Sequence, residues 1–113
     1  MLPVWKQSPL LMQLMSMGTL RTYWETNERA KQDLIEWSKI VRKASWHSFH
    51  DVRFDLRSAD NLNGGWVCFN IRRNEFRLIA LMVYDFKMVL VKFIGSHSEY
   101  DRLLKNPKWK DAL

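Results

Sequence analysis

The stretch Gly65–Asp101, GWVCFNIRRNEFRLIALMVYDFKMVLVKFIGSHSEYD, decides how the chain folds. Three runs rich in Val, Ile, Phe and Leu, at Trp66–Ile71, Glu75–Tyr84 and Met88–Ile94, are separated by polar breaks at Arg72-Arg73 and Asp85–Lys87. Runs of this length and spacing predict antiparallel strands joined by hairpins. Side chains alternate between the faces of a strand, so loop length sets which residues share a face. With two-residue loops, Val67, Phe69, Ile71, Phe76, Leu78, Ala80, Met82, Val89, Val91 and Phe93 line one unbroken apolar face, the expected core. The opposite face collects the polar residues Asn70, Glu75, Arg77 and Lys92 among Trp66, Cys68, Ile79, Leu81, Met88, Leu90 and Ile94. An odd loop without a bulge would separate Arg77 from Lys92 and break the apolar match, so even loops are expected.

Upstream, Thr19–Ala44 turns helical. Leu20, Tyr23 and Trp24 mark a short amphipathic turn, and Ala30, Leu34, Trp37, Val41 and Ala44 recur at four-three-four-three spacing along one stripe. That stripe should cover the apolar sheet face. Asn27 is expected to cap the second helix, with Glu28 near its start and Lys39, Arg42 and Lys43 near its end, as the helix dipole favours. These charges read as a solvated surface, although the basic end around Lys43 is placed to touch RNA phosphates. Met12–Met17, MQLMSM, reads as a first strand that can join the sheet in either direction. Trp46–Leu62 loses helical periodicity, admits a short strand over Val52–Leu56, and ends in the turn formers Asn61, Asn63, Gly64 and Gly65. Trp24, Trp37, Trp46 and Trp66 read as packing anchors.

With 113 residues, 47% of them hydrophobic, the chain has enough for one modest core and no second domain. The expected organisation is an extension over 1–11, with two prolines and little periodicity, and one domain over 12–113. The methionines leave the start at Met1 or Met12 open. Lys6 with the following LLMQLMSM faintly resembles a signal peptide, but Gln13 interrupts it and no small-residue cleavage site follows. No apolar run is long enough to span a bilayer. A formal charge of +6 favours a polyanionic partner. The single cysteine, Cys68, excludes an intrachain disulfide and reads as a packing residue of a reducing compartment. His47 and His50 lack further ligands at a metal-binding spacing and read as surface histidines.

After the third run, Ser96-His97-Ser98-Glu99 fits a capping box that opens a short C-terminal helix. His97 and Tyr100 then share one face of its first turn, near the strand carrying Lys92. Free backbone donors at that helix start favour an anion. The helix should continue through Leu103 and Leu104 to Pro107, with a fraying Lys-rich tail. Arg77, Lys92, His97 and Tyr100 therefore converge at one sheet edge. The fold expected is α+β, an antiparallel sheet with the N-terminal helices on one face and a short C-terminal helix.

The runs FNIRRNEFRLIA and VKFIGSHSEYD, with LRTYWE and WSKIVRKASW upstream, resemble the HigB family of bacterial toxins within the RelE superfamily. The likeness covers Met12 to Leu104. It implies a RelE-like fold and the toxin of a type II toxin-antitoxin system, a ribosome-dependent mRNA endoribonuclease that cuts mRNA in the ribosomal A site of the bacterial cytoplasm. The implied partner is a HigA-like helix-turn-helix antitoxin, through which alone operator DNA would be bound; no membrane is involved. Arg77, Lys92, His97 and Tyr100 stand where the family carries an Arg, a basic residue, a His and a Tyr. One departure lies at Arg72-Arg73, where a glycine is common and a non-glycine residue with positive φ costs energy.

The residue types suit this chemistry, which needs no metal or other cofactor. RNA cleaves itself when its 2′-hydroxyl attacks the adjacent phosphate, provided one group takes that proton, another protonates the leaving 5′-oxygen, and positive charge stabilises the phosphate. Arg77 can donate a planar fork to phosphate and Lys92 a point charge. His97 is the expected acid or base because imidazole is the side chain suited to proton transfer near neutral pH, and Tyr100 can orient it, stack on a base or assist proton transfer. Asn70, Arg72, Arg73 and Asn74 would hold the RNA or the ribosome. Taken singly, the same charges read as solvated strand residues, which leaves as the alternative a non-catalytic RelE-fold module that binds RNA or protein.

Overall fold

A computed structural model describes residues 10–113. Of the expected 1–11 extension only Leu10 and Leu11 fall within it; both are exposed, and the Leu10 carbonyl accepts a hydrogen bond from Ser45 Oγ at 2.6 Å. In order, the elements are β1 (Gln13–Met15), α1 (Met17–Thr26), a 3-10 turn (Glu28–Ala30), α2 (Lys31–Lys43), α3 (Phe49–Asp55), β2 (Asp60–Asn61), β3 (Trp66–Ile71), β4 (Phe76–Val83), a 3-10 turn (Tyr84–Phe86), β5 (Met88–Ser96), α4 (His97–Leu104) and a last 3-10 turn (Trp109–Ala112). The strands form one sheet in the order β1-β5-β4-β3-β2. β1 runs parallel to β5, and the other neighbours are antiparallel. The fold is α+β, compatible with a small RelE-like fold.

The helical stripe and the apolar sheet face meet as expected. Ala30, Leu34, Trp37, Val41 and Ala44 are all buried, as are Val67, Phe69, Ile71, Phe76, Leu78, Ala80, Met82, Val89 and Val91. Trp37 meets Phe69 edge-on at 5.3 Å, and Tyr23 meets Phe76 at 6.0 Å, which fixes α2 and α1 over the central strands. Asn27 departs from its expected role. Its side chain caps no helix start but donates to the Tyr23 carbonyl at 3.0 Å, closing the end of α1.

Two register details differ from the two-residue hairpins. Ile71 pairs with Phe76, so Arg72–Glu75 is a four-residue connection and Glu75 lies outside the strand. The count stays even, which is why the faces were read correctly. Arg72 and Arg73 adopt φ of 50° and 59°, a left-handed conformation that costs an L-residue about 1 kcal/mol. Between β4 and β5, Ala80 pairs with Val91 but Ile79 pairs with Phe93, leaving Lys92 as the extra residue of a bulge. Beyond it the faces exchange. Ile94 packs on the core, and Phe93, expected there, lies on the outer face against Gly95 and Glu99.

The segment Val52–Leu56, where a strand was expected, belongs to α3 and the turn that closes it. Phe49, Val52 and Leu56 face the core at helical spacing, whereas Phe54, which an alternating strand would have turned inward, is 79% exposed. Trp46 Nε1 anchors α3 by donating to Asp55 Oδ2 at 2.8 Å. The C-terminal tail does not fray. α4 stops at Leu104, and the chain crosses to place Trp109 edge-on against Trp66 at 5.3 Å, with Lys110 Nζ donating to the Asn63 carbonyl at 3.3 Å. Leu34, at the centre of the helical stripe, is fully buried. Leu34→Ala should lower stability by about 2–5 kcal/mol, read as a shifted urea midpoint with an unchanged slope.

Candidate functional site

The capping box predicted at Ser96 is formed on both arms. The Glu99 backbone N–H donates to Ser96 Oγ at 3.1 Å, and the Ser96 N–H donates to Glu99 Oε1 at 2.9 Å. These bonds hold the Glu99 carboxyl below its ordinary range, so it stays charged at the helix start. α4 therefore begins directly at the end of β5, and its first turn carries His97 and Tyr100 over the outer sheet face.

On that face, Asn70, Arg77 and Gly95 stand opposite one another across β3, β4 and β5. Gly95 is there because a Cβ would lie 2.7 Å from the Phe93 ring. Arg77 lies over the Tyr100 ring, its Cζ 5.8 Å from the centroid, a cation–π arrangement. The Asn74 carbonyl accepts Arg77 Nη1 at 3.0 Å, so the guanidinium is held from the turn as well as from α4. Burial raises the Tyr100 pKa well above the ordinary tyrosine value, with neighbouring Cys68 and Asp60 adding to the shift and Arg77 opposing it. Tyr100 is consequently a neutral hydroxyl donor at physiological pH. Cys68 is buried beside it, and burial pushes its thiol pKa up, away from the thiolate needed for nucleophilic chemistry.

His97 is exposed, with Nδ1 2.9 Å from Asp101 Oδ2 one helical turn on. A proton on Nδ1 donated to that carboxylate leaves Nε2 available to a ligand. The His97 backbone N–H donates to the Glu75 carbonyl at 3.1 Å, which pins the start of α4 to the Arg72–Glu75 turn. The Glu75 carboxylate in turn accepts Arg29 Nε at 2.7 Å and Arg72 Nε at 2.8 Å. The hydrogen bond from Arg29 is the main reason the Glu75 carboxyl lies below its ordinary range.

The structure thus brings Arg77, His97, Tyr100, Asn70 and the turn residues Arg72, Arg73 and Asn74 into one region. Lys92 is on the adjoining bulge, half-buried and without an ion pair among the described residues. Lys43 stands apart. It ends α2 beside Ala44, whose carbonyl accepts the Met12 N–H, and so lies at the end of the sheet where β5 begins. His97 follows the other end of β5, about 26 Å away along the strand. Asp101 and Glu75 join the site through contacts that the strand and helix patterns do not single out. Asp101 could have been flagged by its four-residue spacing from His97; nothing local ties Glu75 to Arg29, 46 residues away. Among the described residues no three His, Cys, Asp or Glu side chains group as metal ligands, His47 and His50 are exposed, and no helix is long and apolar enough to cross a membrane.

A small α+β domain with a mixed five-stranded sheet whose last strand runs directly into a capped helix is compatible with a small RelE-like fold. The family model HigB_toxin, the RelE-like toxic component of a toxin-antitoxin system, matches residues 30–103, and the chain belongs to that family. The match runs from the start of the α2 layer through α4; β1, α1 and the Trp109 tail lie outside it, so it is shorter than the resemblance read from Met12 to Leu104. No curated protein matches the chain. Membership makes this chain a toxin and implies an antitoxin as its partner.

The Tyr100 shift has a signed consequence. The unfolded chain releases this proton near the ordinary value of 10.0, while the folded chain holds it to higher pH. The associated stability is complete below about pH 10 and is lost as the pH rises further. Tyr100→Phe should flatten the fall in urea midpoint between about pH 9 and about pH 11. Part of the fall should persist, because burial also raises Tyr23 and Tyr84.

Proposed function

We propose that this toxin is a ribosome-dependent endoribonuclease that cleaves mRNA in the A site. The observation that carries the reading is Arg77 held over Tyr100 at 5.8 Å, with His97 on the same helical turn. In the reaction, the RNA 2′-oxygen forms a bond to the adjacent phosphorus and the bond to the 5′-oxygen breaks. The products are a 2′,3′-cyclic phosphate and a free 5′-hydroxyl, and the proton lost from the 2′-hydroxyl is balanced by one delivered to the leaving oxygen. His97, its Nδ1 directed to Asp101, serves this proton transfer through Nε2. Arg77 binds the phosphate through the N–H groups not engaged by the Asn74 and Phe76 carbonyls, and Lys92 adds a point charge. Tyr100, kept neutral by burial, donates a hydrogen bond and holds the Arg77 plane.

Asn70, Arg72, Arg73 and Asn74 hold the RNA beside this centre, and the ribosome supplies the mRNA in an extended, accessible form. Lys43, at the far end of the sheet, serves a separate contact with RNA phosphate. The site of action is then the bacterial cytoplasm, and the neutralising partner is a HigA-like helix-turn-helix protein that brings the complex to operator DNA.

Induced expression in bacteria, with mRNA 5′ ends mapped with and without ongoing translation, tests the reading. New 5′-hydroxyl ends should appear only during translation, and Arg77→Ala and His97→Ala should each reduce them at least about 100-fold while the proteins remain folded. Growth arrest without new ends would instead identify a toxin that blocks its target by binding. Cuts that persist in both variants would remove these residues from the chemistry.

A further inference from the structure

Two consecutive carbonyls place two of the groups assigned above. Asn74 O accepts Arg77 Nη1 at 3.0 Å, and Glu75 O accepts the His97 N–H at 3.1 Å. Both belong to the Arg72–Glu75 turn, whose first two residues sit in left-handed conformations that neither would choose alone. The Glu75 N–H closes the turn by donating to the Arg72 carbonyl at 3.1 Å, and the Glu75 side chain ties it to the helical layer. Arg29 Nε and Nη2 donate to its two oxygens at 2.7 and 3.3 Å, and Arg72 Nε donates to Oε2 at 2.8 Å. The Arg29 backbone is anchored beside Ala30, which is fully buried in the helical stripe, while its side chain reaches out across the surface, 68% exposed.

We propose that Glu75, gripped by Arg29 and Arg72, is a positioning residue. The clamp ties the turn to the helical layer and so sets the Arg77 guanidinium and the start of α4 that carries His97. This inference rests on the nuclease reading for its effect on rate. Ion pairs at a surface add little to global stability, so the consequence of the clamp is expected in placement and not in melting temperature. A two-point contact from a guanidinium fixes direction as well as distance, which is what placement requires. Arg29 also precedes the family match over residues 30–103, so the clamp joins an element outside that match to the site within it.

Single-turnover cleavage of mRNA on programmed ribosomes by wild type, Glu75→Ala, Arg29→Ala and the double variant tests the clamp. Each single substitution should slow cleavage about 10- to 100-fold, with the half-saturating toxin concentration and the melting temperature little changed. The double variant should be no slower than Glu75→Ala, because Arg29 acts on the turn only through the carboxylate that Glu75→Ala already removes. Backbone amide exchange at His97, which does not depend on cleavage, should quicken about 10-fold in Glu75→Ala and in Arg29→Ala. Wild-type cleavage that persists in Glu75→Ala overturns the clamp, as does a rate lost only in step with the folded fraction. If the wild type does not cleave, the nuclease reading falls, and unchanged His97 exchange in both variants would overturn the clamp by itself.

Discussion

The edge-on contact of Trp37 with Phe69 stands at the centre of the constraint on which the molecule depends: one helical stripe must cover one apolar sheet face. Neither surface is stable in water alone, and the apolar residues of the stripe from Ala30 to Ala44 are buried together with those of the sheet face. Once α2 lies there, the core face is committed and the outer face must carry whatever the protein uses. Arg77 and Asn70 point outward because Leu78, Phe76 and Phe69 point inward. A one-residue slip would bury the arginine and expose the core, which is why the register is so firmly specified.

The outer face is not simply open. Ile79 and Cys68 are buried there, and Tyr100 of α4 is near enough to Cys68 to perturb it. This cover dries one side of Tyr100 and Arg77 while leaving His97 exposed at the rim. The two environments differ. Tyr100, in the drier place, keeps its proton, while the His97 imidazole at the rim has its Nδ1 beside Asp101. The capping box is what sets this geometry, since it converts the end of β5 into the start of α4 with no intervening loop.

The Arg72–Glu75 turn is built from residues that do not favour its backbone. Two arginines accept left-handed backbone where a glycine would be at ease, and the ion pairs of Glu75 accompany that strain. The result is a basic, structured rim beside Arg77. Between β4 and β5, the bulge at Lys92 exchanges the faces of Phe93 and Ile94, and the ring of Phe93 fills the space that Gly95 leaves.

The features carried by neighbouring residues were legible in the sequence. Alternation along β3, β4 and β5, the four-three stripe of α2 and the capping box at Ser96 all lie within short windows, because strand and helix periods repeat over two to four residues. Arg77 and the His97–Tyr100 pair, on separate elements, could be placed together only through the register of β4 and β5. Even loop parity sufficed to assign faces, even with the loop two residues too short. What only the tertiary structure decided depends on how distant segments meet. The Lys92 bulge is a mismatch between two strands and has no signature in either. α3 is a helix because Val52 finds the core from one side only, leaving Phe54 outside. The grip of Arg29 on Glu75 spans 46 residues, and Lys43 lies away from the site because α2 and β5 run as they do. A chain encodes its local periods directly, but such pairings exist only after the core has closed.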